Sequence, residues 1–339
     1  MLGKKIKLPD SLKRYSEKIG KDSLQIQGPG GNTSYKLKNQ MWVKASGTKL
    51  ADASEKNIFV LVDRNKVLDQ IDNFNHKDQP SPTIYNPNNL KPSIETSFHA
   101  LIPHKFVIHT HSINTIIHSI SPEGRSTLKH KLENINWFGV NYKKPGLPLT
   151  IEIKKKLHSN ISNLNEGLVI ILYNHGLIVA GETIEKVKNL ISKVEKSLKL
   201  KKLYKNFPIP SELIIPKNWE WLPEFSALCK VKKISKIIHK VTLYPDHVVF
   251  LGKNIPKCNI NKIDRLIKTS KKHKMILIEN CGVIINSEVS LTDRAMAACL
   301  YEVLSRLPKN WNIRGLTNKE INELINWDAE KYRKKLSSD

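Results

Sequence analysis

The alternation of apolar and polar residues divides the chain into short runs of two kinds. "LGKKIKLPDSLKRYSEKIG" reads as a helix with Asp10 or Ser11 as its cap and Gly20 at its end. "DSLQIQGPGGNTSYKLKNQMWVKASG" alternates around Gly-Pro-Gly-Gly and Lys38-Asn39, which predicts a strand, a glycine loop and a hairpin, and "IFVLVD" continues as another strand. "NHKDQPSPTIYNPNNLKPS" is rich in Pro and Asn and reads as a surface loop. It leads into "SIETSFHALI", a short helix with Ser93 as cap, Glu95 in its first turn and Pro103 beyond its end. "KFVIHTHS" is then a strand, and "EGLVIILYNHGLIVAGET" is a strand, a turn at Asn174-His175-Gly176 and a second strand, before an amphipathic helix from Thr183 to about Leu200. Strands and helices therefore alternate over the first 200 residues, the pattern of an α/β fold.

Pro208 and Pro210 mark a boundary, giving units at 1–205 and 206–339. In the second unit "KVTLYPDHVVFLG" and "KMILIENCGVIINSEVSLTDRAMAACLYEVLSRLP" predict strand, turn, strand and helix, and "TNKEINELINWDAEKYRKKL" predicts a capped terminal helix. Asn174-His175-Gly176 aligns with Asn280-Cys281-Gly282, and both continue into helices of similar length, as a degenerate internal repeat would. The second copy has Cys where the first has His and lacks an H-x-H partner, so the C-terminal part is expected to be a structural or interface module rather than a second catalytic site.

Composition narrows the classes. The 339 residues include 40% hydrophobic ones, enough for a sizeable core. The formal charge of +25 suggests a nucleic-acid partner, but only eight of the 56 basic residues are Arg and the lysines are scattered, so the charge reads as a compositional bias rather than a binding face. Cys229, Cys258, Cys281 and Cys299 form no C-x-x-C pair and read as reduced thiols. No apolar run is long enough to span a membrane, and the basic start is followed by no apolar signal segment, so a soluble cytoplasmic protein is expected.

The candidate chemistry lies in "SIETSFHALIPHKFVIHTHS". His109 and His111, at i and i+2 of one strand, point to the same face. A catalytic zinc site needs about three protein ligands and an open position. His175, projecting from a tight turn at a strand end, is the best third candidate. Glu95 is open to two roles, fourth ligand or base. His99, four residues after Glu95, suits a supporting or packing role, while His104 and His118 have no partner at useful spacing.

In order along the chain come G-G-N-T-S at 30–34, V-K-A-S-G-T at 43–48, P-S-x-E at 92–95, H-T-H at 109–111 and N-H-G-L at 174–177. Together, over roughly residues 8 to 200, these resemble the class II aldolase/adducin family. The resemblance implies a three-layer α/β/α sandwich around a central sheet, with a smaller C-terminal α/β module added here, and a homo-oligomer, commonly a tetramer. It implies that His109, His111 and His175 hold a divalent metal, usually Zn2+, and that Glu95 is the base. The implied reaction is retro-aldol cleavage of a sugar phosphate through a metal-stabilised enediolate.

Gly30, Gly31 and Asn32 form a candidate anion nest for the phosphate, with Ser46, Gly47 and Ser93 as further donors. Family aldolases often carry two serines before the glutamate, whereas Ile94 takes the second place here. Either Lys44 or Lys49 compensates for the lost hydroxyl, or the substrate is unphosphorylated. Tyr142 is a candidate acid by its loop position alone, and a surface tyrosine without chemistry is the favoured reading. An epimerase, dehydratase or decarboxylase on the same ligands is the alternative chemistry, and an adducin-like interaction module without catalysis is the alternative class.

Overall fold

A computed structural model describes residues 5–73, 81–161, 163–204, 207–209, 213–269 and 273–336. Its first part is built on eight strands: β1 (Asn32–Leu37), β2 (Gln40–Lys44), β3 (Phe59–Asp63), β4 (Thr83–Tyr85), β5 (Phe106–Thr110), β6 (Trp137–Val140), β7 (Leu168–Leu172) and β8 (Gly176–Gly181). They form one sheet in the order β4-β3-β2-β1-β5-β8-β7-β6. The β6–β7 pair is parallel and the other pairs are antiparallel.

Seven helices flank the sheet: α1 (Asp10–Gly20), α2 (Arg64–Asp72), α3 (Thr96–Leu101), α4 (Ile113–Ser119), α5 (Pro122–Lys131), α6 (Leu147–Asn160) and α7 (Ile184–Leu198). Side chains alternate across a strand, so each buried strand feeds two cores. Val169 and Ile171 of β7 pack with α1, α5 and α7 on one face. Leu168, Ile170 and Leu172 pack with α3 and α6 on the other. The result is the three-layer α/β/α sandwich, and β7 is apolar at every position because both of its faces are covered.

The C-terminal part has a smaller sheet, ordered β10-β11-β12-β9, of strands β9 (Trp219–Leu222), β10 (Lys257–Cys258), β11 (Met275–Ile278) and β12 (Gly282–Asn286). Around it lie α8 (Ser226–Cys229), α9 (Lys232–Lys240), α10 (Ile263–Thr269), α11 (Leu291–Arg306), α12 (Asn318–Ile325) and α13 (Asp328–Leu336). The two parts share a core, because Ile113, Ile116 and Ile117 of α4 and Ile120 just after it are buried in one cluster with Phe225, Leu300 and Leu304. Among the described residues, no helix is long and apolar enough to cross a membrane.

Several local expectations change. The helix at Asp10 has Pro9 at its N-cap and no side-chain cap, because the proline ring carries no acceptor for the first-turn N–H groups. The segment before the glycine loop is a series of turns rather than a strand. Part of the Pro-rich loop pairs as β4 with β3, while 74–80 lie outside the described residues. "SIETSFHALI" is helical only from Thr96, since Ser93 folds back as a turn whose hydroxyl accepts from Glu95 N–H at 3.2 Å. "KVTLYPDHVVFLG" is not a strand: Pro245 turns the chain into a π-helical turn, His247–Leu251. The terminal helix is two: α12, capped as expected and by a Thr317–Glu320 capping box, and α13 after a break at Asn326–Trp327.

Candidate metal and catalytic site

The hairpin turn between β7 and β8 and the C-terminal end of β5 meet at one end of the interior strands of the large sheet. Ile178 of β8 pairs with His109 and Leu177 with Thr110, so the turn residue His175 lies beside the strand exit that carries His111. The turn is tight because Asn174 adopts a positive φ of 56°. A Cβ at Gly176 would come within 2.3 Å of the Thr110 carbonyl oxygen, so only glycine lets β8 start against β5 here.

The three expected histidines converge. Ring centroids are 5.0 Å apart for His109–His111, 4.9 Å for His109–His175 and 5.3 Å for His111–His175. One ligand atom from each lies within 4.8 Å of the others, and all three are buried. His109 donates Nδ1–H to the Leu177 carbonyl at 3.0 Å, leaving Nε2 with no hydrogen-bond partner.

Glu95 sits between two of the rings, with Oε2 3.5 Å from His109 Nε2 and Oε1 3.5 Å from His175 Nε2. Its Oε2 accepts from Asn32 Nδ2 at 2.8 Å, while Oε1 accepts no hydrogen bond. Burial alone would raise this carboxyl, but His109, His175 and the Asn32 amide outweigh it and hold it at about 2. Burial keeps His109 at about 4 and His175 at about 3, so both are neutral, as ligands must be. Buried polar atoms normally find partners. A carboxylate oxygen and the His109 Nε2 left without hydrogen bonds, among three buried rings whose ligand atoms lie within 4.8 Å of one another, fit a divalent cation.

His99 takes the supporting role. Its Nε2 hydrogen-bonds Asn32 Oδ1 and its Nδ1 lies 2.7 Å from the Ser34 hydroxyl, so a neutral ring donates to Asn32 and accepts from Ser34. Burial holds its pKa well below normal. His118 hydrogen-bonds the Asn114 carbonyl and packs on Trp311, and His104 is buried away from the site, as ordinary residues would be.

Gly31, Asn32, Ser46, Gly47 and Ser93 line the same pocket as Glu95, His111 and His175. Three expected backbone donors are spent within the fold: Gly30 N–H bonds Gln27 O at 3.0 Å, Ser46 N–H bonds Lys91 O at 2.8 Å and Ser93 N–H bonds Lys44 O at 3.1 Å. Of the two lysines, Lys44 lines this pocket, buried and donating to Pro29 O at 3.1 Å, and burial lowers it to about 7. Tyr142 is not on the surface but packs under α12 with Val248, Leu316 and Ile321, and burial raises its pKa.

Three residues that the sequence reading did not select also line the pocket: Asp246, Glu330 and Arg333, all from the C-terminal part. One signal for Arg333 was available. In a chain with 56 basic residues and few arginines, an Arg where Lys is the default marks a site that needs a planar fork. A second, larger cavity of about 610 Å³ adjoins the site, sharing Ser46, Ser93 and Ile94 and walled on its far side by α12 and α13.

The family model described as Class II Aldolase and Adducin N-terminal domain matches residues 14–201. A curated relative, an uncharacterized oxidoreductase of Bacillus subtilis, is 30% identical over 183 residues, covering 50% of this chain. The match spans only 26% of that relative's own length. Among solved structures, the N-terminal class II aldolase domain of a conserved Thermoplasma acidophilum protein is 23% identical, with TM-score 0.45, covering 59% of this chain and 100% of that one. A sugar-phosphate aldolase from Thermotoga maritima is 15% identical, with TM-score 0.43, covering 56% and 92%.

Proposed function

Since the chain belongs to the class II aldolase and adducin family, we propose that it is a metal-dependent aldehyde-lyase that cleaves a ketose, phosphorylated or otherwise anionic at one end, by a retro-aldol reaction. The observation that carries this reading is the convergence of three buried imidazoles on a buried carboxylate whose Oε1 accepts no hydrogen bond. His109, His111 and His175 would hold the ion, with Zn2+ suiting an all-nitrogen donor set. When bound, the ion supplies Lewis acidity for negative charge that develops on the substrate oxygens.

The protein's own groups do the rest. Glu95 stays anionic, held through Oε2 by Asn32, and offers Oε1 to take a proton from the substrate hydroxyl and return it to the fragment left behind. His99 fixes Asn32, and Asn32 Nδ2 also donates to Ser93 Oγ at 3.1 Å, so the carboxylate is held by a chain of buried hydrogen bonds. Lys44, with Gly31, Ser46, Gly47 and Ser93, would meet the anionic end; Lys44 supplies charge where Ile94 removes a hydroxyl. The reading includes a homo-oligomer in the cytoplasm, checked by light scattering and cell fractionation.

The test is metal content by elemental analysis on protein purified without chelator, then product analysis on phosphorylated and unphosphorylated ketoses. Near-stoichiometric metal and two carbon fragments are expected. A single rearranged, dehydrated or decarboxylated product would replace aldol cleavage with the corresponding alternative chemistry. Wild-type protein that takes up no metal after reconstitution would leave an interaction module.

A further inference from the structure

The C-terminal part lies wholly outside the family match at 14–201, yet it touches one of the three histidines. Just after Pro245, at the start of the π-helical turn, Asp246 is buried with Oδ2 2.9 Å from His111 Nδ1. Arg333 of α13 grips both oxygens of that carboxylate, Nη1–Oδ1 at 2.8 Å and Nη2–Oδ2 at 3.0 Å. Arg333 Nη1 also reaches Glu330 Oε2 at 3.2 Å, and its guanidinium lies 5.4 Å from the centre of the Phe250 ring. His111, Asp246, Glu330 and Arg333 are each exposed by 7% or less.

We propose that Asp246 is a positioning residue for His111, and that Arg333 holds Asp246 in place. The carboxylate accepts Nδ1–H of His111, which fixes the ring's orientation and turns Nε2 toward His109 and His175. The inference rests on reading the three histidines as a metal site.

Two observations separate this from a plain tertiary lock. First, His109 has the same arrangement by other means, since its Nδ1–H is held by the Leu177 carbonyl within the large sheet. His111 stands just past the end of β5, where, among the described residues, no ladder carbonyl meets its Nδ1, and the C-terminal part supplies the acceptor instead. Second, burying an ion pair is a poor way to gain stability, because desolvation consumes most of the attraction and apolar packing does as well or better. The neighbouring cluster of Tyr142, Val248, Leu316, Ile321 and Leu324 already joins the two parts with apolar contacts. A charged group at this spot is accounted for by what it does to His111. The site on the family domain is then incomplete without residues from beyond that domain.

The test uses the full chain in four forms: wild type, Asp246→Asn, Asp246→Ala and the packing control Leu324→Ala. Affinity for Co2+ is measured against a chromophoric chelator, together with the visible spectrum of the bound ion. Asp246→Ala is expected to weaken binding about 10- to 100-fold and shift the spectrum. Asp246→Asn, which keeps an acceptor oxygen, should recover part of the loss. Leu324→Ala is expected to lower stability while leaving affinity and spectrum close to wild type. Unchanged affinity in Asp246→Ala, or an equal loss in Leu324→Ala, would overturn the proposal.

A metal-free readout keeps it separate from the functional reading. Nitrogen-15 spectra of the histidine rings should show the His111 proton on Nδ1 in wild type and a mixed population in Asp246→Ala. Should the wild type take up no metal, the proposed function fails, and these spectra still decide the role of Asp246. A His111 proton on Nε2 in wild type would refute it.

Discussion

The turns at 174–176 and 280–282 share a backbone and differ in chemistry. Each joins two antiparallel strands, each places Asn at positive φ, 56° and 59°, and each leads to a helix capped by a hydroxyl, Thr183 or Ser290. The difference lies in the neighbouring strand. Ile178 of the first unit pairs with His109 of β5, whereas Ile284 of the second pairs with Trp221 of β9. The first turn residue, His175, is buried among imidazoles and Glu95, while Cys281 is half-buried beside an apolar cluster. A hairpin can therefore be specified locally, but a site forms only where a second strand brings its ligands to the same end.

The largest contrast is expected between His175→Ala and Cys281→Ala. The first should remove bound metal and turnover together, while the second leaves both near wild type, as elemental analysis and product assays will show. Activity surviving without metal in His175→Ala would end the site assignment. Next comes Glu95→Gln, which is expected to retain most of the metal and lose about 10²- to 10⁴-fold in turnover, as for a lost general base. An unchanged rate would take Glu95 out of the mechanism.

A smaller effect appears in the pH dependence of the metal-free protein. Burial holds His109 at about 4 and His175 at about 3, below the ordinary histidine value of 6.5. Below about pH 6.5 the unfolded chain binds protons that the native state refuses, so stability is complete above that pH and is lost as pH falls toward about 4. Urea midpoints that stay level across this window would show the rings to be more solvated than the structure has them.

The least disruptive comparison is Asn174→Gly against Asn280→Gly. Glycine accepts the positive φ at both, so only side-chain bonds are lost. Asn174 Nδ2 donates to the carbonyls of Leu243 at 2.9 Å and Arg314 at 2.7 Å, and its Oδ1 accepts from Arg125 at 2.8 Å. Its loss should cost about 2–4 kcal/mol from the buried groups left unpaired. Asn280 is exposed, and its replacement should stay within about 0.5 kcal/mol. Equal costs in denaturant titrations would assign Asn174 to turn geometry alone.

Much of the site was legible because its parts are local. H-x-H on a strand fixes a common direction for two rings, and Asn-His-Gly fixes a turn. The helices α4, α5 and α6 were not read, although Ser121 before Pro122 is a start signal for α5, because the surrounding apolar runs fit either period. The strand expected at "KVTLYPDHVVFLG" failed because packing of Phe250 and Leu251 into the C-terminal core, and of Val248 against Tyr142 and α12, overrode an apolar run that suits a strand equally well.

The sequence by itself determined the α/β alternation and the two hairpins, and it singled out His109, His111, His175 and Glu95, which the structure brings together, since each follows from spacing, turn chemistry or an ordered motif set. Only the tertiary structure decided that Asn32 and His99 hold Glu95, that Lys44 faces the pocket, and that Asp246 and Arg333 enter it from about 135 and 222 positions beyond His111. Contacts at such separations leave no periodic trace, because they depend on how whole layers dock, and a buried charge is placed by the partners it finds there.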